Sequence, residues 1–267
     1  MTLSPLKKIE KKLLPNNIFS LYRIREWFHF LGLPVLGYFS QPESYSFPFL
    51  ILLLGITFLL GCFSYSLNEI FDRSLPPKYM RVVLLPFLIL IPSFWALNTL
   101  FRRVVLGILL GIAILYSSPY PSLKSHPFVG TLINAGGFPL LFILGVPYLN
   151  KTTLVFYLYF FFLMATAQLI HEMAHKEEDK KRKICTTAIF LGRKTKPLII
   201  ILFLFATSLA FLINRILGIL NAGIWIHLLF LIRGDNFKLI RKVYRREGIL
   251  LGLFLGGWLV FRRYLLV

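Results

Sequence analysis

Apolar residues in this chain come in long uninterrupted blocks of roughly 17 to 22 positions, about the length a helix needs to cross a bilayer. Phe47 to Leu67, Val82 to Leu97 and Pro197 to Ile213 contain no charged residue and no period-two alternation, so they predict membrane-spanning helices and not barrel strands. Applied along the whole chain, the same reading gives nine spans: about 26–40, 47–67, 82–98, 103–117, 127–148, 152–171, 196–213, 216–232 and 248–265. The first is the least regular. Its apolar part, Phe28 to Tyr38, is short and follows Arg23, Arg25 and Glu26, which predicts a helix that begins at the membrane interface. Nothing in the pattern marks a linker, so residues 1–267 are expected to form one polytopic, all-α membrane domain, with residues 1–25 outside it.

A mean hydropathy of +0.73 and 57% hydrophobic residues exclude a soluble globular protein. The formal charge of +19 then acts mainly as a topology signal. With the N-terminus cytoplasmic, the nine spans put 24 of the Lys and Arg residues on the inner side and 6 on the outer, the latter being Arg102, Arg103, Lys151, Arg215, Arg262 and Arg263. The inner cations suit anionic lipid headgroups. They are dispersed between spans with no nucleic-acid module around them, so nucleic acid is not expected as a partner. Lys7, Lys8, Lys11 and Lys12 are followed by Pro15-Asn16-Asn17 with no small-residue cleavage site, which predicts a retained N-terminus. Cys62 lies inside a span and Cys185 in an inner loop, so no disulfide is expected.

Against this basic background the acidic residues concentrate in two clusters at the inner ends of spans. The first is Asn68-Glu69-Ile70-Phe71-Asp72-Arg73. On a continuing helix Asn68 and Asp72 lie one turn apart, so an amide oxygen and a carboxylate oxygen meet at one point, as a hard cation requires, while Arg73 and Lys78 stand near enough for phosphate oxygens. The second contains Glu172, His175, Glu178 and Asp179; positions 172, 175 and 179 follow an i, i+3, i+7 stripe that suits a second ion. Each has an ordinary reading as well, as a solvated helix end or as acids paired with Lys176 and Lys180 to Lys183. Between them, Tyr116-Ser117-Ser118-Pro119-Tyr120-Pro121-Ser122-Leu123-Lys124 carries two prolines that enforce an extended turn and fix Tyr120 and Lys124 near the same anion.

The three segments, with Thr186 and Leu191-Gly192 after the second cluster, resemble in order and separation the motifs of the UbiA superfamily of intramembrane prenyltransferases, and with nine spans the likeness covers nearly the whole chain. The resemblance implies a nine-helix bundle around a central cavity, with an active site on the cytoplasmic side where Mg²⁺ holds a prenyl diphosphate. Carried over, Asn68 and Asp72 bind one ion, Asp179 with His175 or Glu172 the other, and Arg73, Tyr120 and Lys124 meet the diphosphate. Asp72, Asp179 and Lys124 become the catalytic set. The implied reaction moves the prenyl group to a lipophilic acceptor, with a terpene cyclase on the same scaffold as the nearest alternative. This chain departs from the family pattern at Pro76 and His175, where Asp is usual, which removes carboxylates from both ion sites, and at Glu69, which replaces a common Asp. A rival from another class is spelled by His171-Glu172-Met173-Ala174-His175, the HExxH pattern of zinc proteases, including intramembrane ones; it leaves Asn68 to Arg73 and Tyr116 to Lys124 without a role.

Overall fold

The computed structural model describes residues 18–41, 46–118, 123–182 and 184–265. Among the described residues every regular element is helical. A 3₁₀ turn (Ile18–Tyr22) leads to α1 (Ile24–Trp27), a second 3₁₀ turn (Phe28–Leu31) and α2 (Gly32–Phe39), followed by α3 (Phe47–Asp72), α4 (Met80–Ala96), α5 (Leu100–Ser117), α6 (Val129–Gly145), α7 (Lys151–Lys181), α8 (Thr187–Leu191), α9 (Thr195–Ile213), α10 (Arg215–Arg233) and α11 (Phe237–Leu265). Among the described residues all nine expected spans coincide with helical segments, and six of these segments are long and apolar enough to cross a membrane.

Local chemistry sets the boundaries. Pro48 opens α3, where a missing N–H costs nothing, and Pro76 and Pro77 follow its end. Asn150 and Thr153 cap α7 reciprocally: the Thr153 N–H donates to Asn150 Oδ1 at 2.8 Å and the Asn150 N–H to Thr153 Oγ1 at 2.7 Å. Asn214 likewise accepts from the N–H groups of Ile216 and Leu217 at the start of α10. The first span is the least regular, as expected, its α-helix being divided into Ile24–Trp27 and Gly32–Phe39 by a 3₁₀ turn. Glycine and proline at 32 and 34 sit at the transition from the 3₁₀ turn.

Helix α7 runs through the middle of the bundle, packed on α6, α9 and α11, while α3 packs on α4 and α5 and α11 closes back on α2. The crossing of α2 with α6 is made by two glycines. A Cβ on Gly37 would lie 2.1 Å from the Phe142 carbonyl oxygen, and one on Gly145 would lie 2.2 Å from that of Pro34. Gly61 plays the same part for Trp27, whose ring fills the space a side chain would need.

The polar stretches after spans six and eight are mostly helix. The inner stretch after span six continues α7 ten residues beyond residue 171, to Lys181, with His175 to Glu178 and Lys180 to Glu177 contacts along its surface. The basic stretch before span nine forms the start of α11, because Phe237, Ile240, Tyr244 and Leu251 are buried at helical spacing and draw the intervening Lys and Arg residues into one amphipathic helix. Arg102, expected as an outer flanking charge, is instead wholly buried. Its Nε donates to the Leu144 carbonyl at 3.2 Å and its Nη2 to the Gly145 carbonyl at 3.3 Å, so it satisfies the open C-terminal end of α6.

Candidate active site

The ends of α3 and α7, the start of α6, the Lys124 turn, α8, and the N-terminal turns with the first half of α11 bring the polar residues together. On α3, Asn68 Nδ2 donates to Asp72 Oδ2 at 2.9 Å across one turn, which leaves Asn68 Oδ1 and Asp72 Oδ1 to accept from Lys124. The ammonium sits 3.3 Å from the amide oxygen and in direct contact with the carboxylate. Two oxygens from adjacent turns thus already hold a cation, and the donor set is one that Mg²⁺ accepts when phosphate oxygens and water complete its octahedron. Among the described residues no three His, Cys, Asp or Glu side chains gather into an all-protein metal cage. Tyr120 lies outside the described residues.

Glu69, beside this pair, is buried and neutralised by two arginines: Arg23 Nη1 at 3.1 Å and Arg73 Nη2 at 2.5 Å. Arg73, expected to meet phosphate, is therefore tied to its own helix in this structure. Arg23 also grips Glu26 through Nε at 3.0 Å and Nη2 at 2.6 Å and has a positive φ of 46°, a conformation that an arginine holds only where its surroundings fix it. Burial lowers the Arg23 pKa, but Glu26 and Glu69 more than reverse this, and the guanidinium ends above its ordinary value.

The second cluster splits in two directions. Glu172 is buried, and both its oxygens are occupied by protein donors. Thr131 Oγ1 at 2.7 Å and Gln168 Nε2 at 3.1 Å donate to Oε1, and the Ala188 N–H at 2.9 Å donates to Oε2. The carboxylate therefore joins α6, α7 and α8, and Asn134 extends the network by donating to Gln168 and to the Tyr116 hydroxyl. His175 points the other way, toward α11. Arg241 Nη1 lies 2.9 Å from its Nε2, and since a guanidinium only donates, Nε2 is the acceptor and Nδ1 carries the proton given to Glu178 at 2.9 Å. Burial pulls the Arg241 pKa down from its ordinary value, with Glu26 opposing and Arg245 and Arg23 reinforcing the fall. Asp179 is half-buried and makes no side-chain hydrogen bond or ion pair among the described residues.

This arrangement removes what a zinc protease needs. The His171 and His175 rings are 4.7 Å apart, but Arg241 covers the lone pair of one, and Glu172 is committed to three donors where a water-activating base must be free. Asn134, Gln168 and Arg241 were not singled out from the sequence. A polar residue in the middle of an apolar run is the signal that could have found the first two.

An apolar cleft of about 260 Å³ lies beside the first cluster, walled by Phe63, Leu67, Phe71, Val83, Phe87 and Ile114. Leu67 and Phe71 precede Asn68 and Asp72 by one residue each, so the cleft opens about 100° round α3 from the polar pair.

The fold is shared with solved proteins. The chain is similar to a UbiA homologue from Archaeoglobus fulgidus bound to GPP and Mg²⁺ (18% identity over 90% of this chain and 99% of the other, TM-score 0.68). The same homologue bound to DMAPP and Mg²⁺ aligns with a TM-score of 0.69 at 18% identity over 90% and 99% of the two chains. A digeranylgeranylglyceryl phosphate synthase aligns at 17% identity over 93% and 98%, with a TM-score of 0.72. No curated protein matches the chain by sequence. The sequence model of the UbiA prenyltransferase family matches residues 75–256, which takes in Lys124, the whole second cluster and Arg241 and begins just beyond Asp72. With more than half its length matched and membrane-spanning helices throughout, the chain is an integral membrane protein of the UbiA prenyltransferase family.

Proposed function

We propose that this prenyltransferase moves a prenyl group from an isoprenoid diphosphate to a lipophilic acceptor, at a Mg²⁺-dependent site that faces the cytoplasm inside one membrane domain. The observation that carries the reading is the seat of the Lys124 ammonium between Asn68 Oδ1 and Asp72 Oδ1. Asn68 Oδ1 and Asp72 Oδ1 would hold a divalent ion, and Lys124, released from them, would bind phosphate oxygens beside it. Arg73, half-exposed on the same helix end, and Tyr120 complete the expected set around the diphosphate. Asp179 is the carboxylate of the second cluster that is open to an ion or to its water shell. The solved relatives bound to GPP or DMAPP with Mg²⁺ support both the diphosphate and the metal. The split of 24 inner and 6 outer cations supports the cytoplasmic placement.

When bound, Mg²⁺ stabilises the negative charge that builds on the departing diphosphate. Asn68 and Asp72 position that charge, Lys124 adds a fixed donor to it, and the carbon–oxygen bond breaks with its electron pair leaving on the diphosphate. Phe63 and Phe71 form an apolar, aromatic wall beside the polar pair, which suits the prenyl chain and shelters an allylic cation until the acceptor adds to it and loses a proton.

The test is incubation of purified chain with labelled prenyl diphosphates of increasing length and a membrane lipid extract as the source of acceptor. Label passes into a lipid only when Mg²⁺ is present, and Asp72→Ala abolishes the transfer. Label appearing as a hydrocarbon or terpene alcohol without any acceptor indicates cyclisation instead, and full turnover by Asp72→Ala overturns the metal assignment.

A further inference from the structure

The cations at the site differ in how they are matched. Arg23 is paired with Glu26 and Glu69, Arg73 with Glu69, and Lys124 with Asp72. Arg245 turns one nitrogen, Nη2, toward the carbonyls of Arg25 and Glu26, at 2.8 and 2.7 Å, and the His29 ring, and so pins the N-terminal turns. Arg241 is half-buried too, yet among the described residues its guanidinium makes a single side-chain hydrogen bond, to neutral His175, and has no carboxylate partner. The charged and titratable groups that face it are Glu26, Arg245, Arg23, Tyr65 and His171. The one acid among them already serves Arg23. A guanidinium taken partly out of water with most of its donors unspent is costly unless an anion completes it.

The same contact decides what the second cluster can hold. An ion bound along the 172, 175, 179 stripe needs ligand atoms that are open. Both oxygens of Glu172 accept from protein donors, and the Nε2 lone pair of His175 faces Arg241. Asp179 alone remains. A second Mg²⁺ does not fit this half of the site, because Asp179 is the one open ligand there, whereas Asn68 and Asp72 offer two oxygens to a single cation.

We infer that Arg241 takes the place of a second metal ion, its guanidinium binding the oxygens of the diphosphate while a single Mg²⁺ is held at Asn68 and Asp72. This rests on the diphosphate reading above. His175 is then a positioning residue: its protonated Nδ1 is anchored on Glu178, and its Nε2 fixes the direction of the guanidinium. The planar fork of arginine offers two parallel donors to one phosphate, which an ammonium cannot reproduce.

The test counts ions without relying on turnover. The full chain in detergent is titrated with Mn²⁺ in the presence of inorganic pyrophosphate, and bound Mn²⁺ is read by electron paramagnetic resonance alongside pyrophosphate affinity. One Mn²⁺ per pyrophosphate-bound chain is expected, lost in Asp72→Asn and retained in Asp179→Asn. Arg241→Gln keeps the single Mn²⁺, which also reports that the variant is folded, but weakens pyrophosphate binding about 10- to 100-fold. Arg241→Lys recovers only part of that loss. Two Mn²⁺ per chain, or unchanged affinity in Arg241→Gln, overturns the inference and leaves the diphosphate site standing. Failure to bind pyrophosphate or Mn²⁺ at all overturns the diphosphate reading itself.

Discussion

Two carboxylates of the same chemical class reach opposite fates here, and the difference lies in which donors surround them. Asp72 is at a helix end, about a third exposed, with an ammonium and a neighbouring amide as partners. Glu172 is buried among Thr131, Gln168 and the Ala188 N–H, where it holds three helices together. Replacing Glu172 by Ala strands those donors, and we expect Glu172→Ala to lower unfolding stability by about 2–3 kcal/mol, against less than about 1 kcal/mol for Asp72→Ala, whose partners stay hydrated. Thermal unfolding in one detergent checks the pair, and equal losses would remove the distinction. Lys124→Met is expected to weaken prenyl diphosphate binding by roughly 10-fold or more, measured by equilibrium binding with Mg²⁺ present. The proximity of Asn68 to Asp72 was legible in the sequence, because a four-residue spacing on a helix admits one geometry. The roles of Glu172 and His175 were not. Three residues on a helix differ by about 60° in direction, enough to send one side chain toward α6 and α8 and the other toward α11. Only the packed neighbours reveal which is buried.

Helices here approach one another where side chains are missing. The α2–α6 crossing depends on Gly37 and Gly145, each facing a carbonyl oxygen of the other helix, so an added methyl group forces the backbones apart and cannot be absorbed by a rotamer change. Gly37→Ala and Gly145→Ala are each expected to cost about 1–3 kcal/mol, whereas Gly107→Ala and Gly111→Ala, where a Cβ meets no atom within 4 Å, are expected to be neutral or slightly stabilising. Denaturation of the four variants in one detergent distinguishes the classes; loss at Gly107 or Gly111 equal to that at Gly37 would count against a packing origin. At this scale the apolar runs located the spans to within a few residues, since length and hydropathy carry that information directly. They failed where polar sequence is helical. The ends of α7 and α11 are rich in Lys and Arg, and their helical state comes from buried positions such as Phe237, Ile240 and Tyr244 packing on the bundle and not from hydropathy.

For the whole molecule, the distribution of charge and the placement of the site have to agree. Lys124, the last turns of α7 and the basic start of α11 belong to one end of the bundle, where Arg241 meets His175 and Arg245 meets the N-terminal turns. Arg102, with the last carbonyls of α6, marks the other end. If the first end is cytoplasmic, as we propose from the bias of Lys and Arg, a substrate carrying a diphosphate is met on the side where it is hydrated, while its prenyl chain enters the apolar region beside Phe63 and Phe71. The chain supplies its own reporter for this. It has two cysteines, Cys62 buried within α3 and Cys185 exposed between α7 and α8, so a membrane-impermeant maleimide can report on Cys185 without engineered residues. We expect labelling in inside-out vesicles and none in intact cells, with Cys185→Ser as the blank. Labelling of intact cells would invert the bundle, place the acidic helix ends outside, and require the diphosphate to arrive from the opposite face of the membrane.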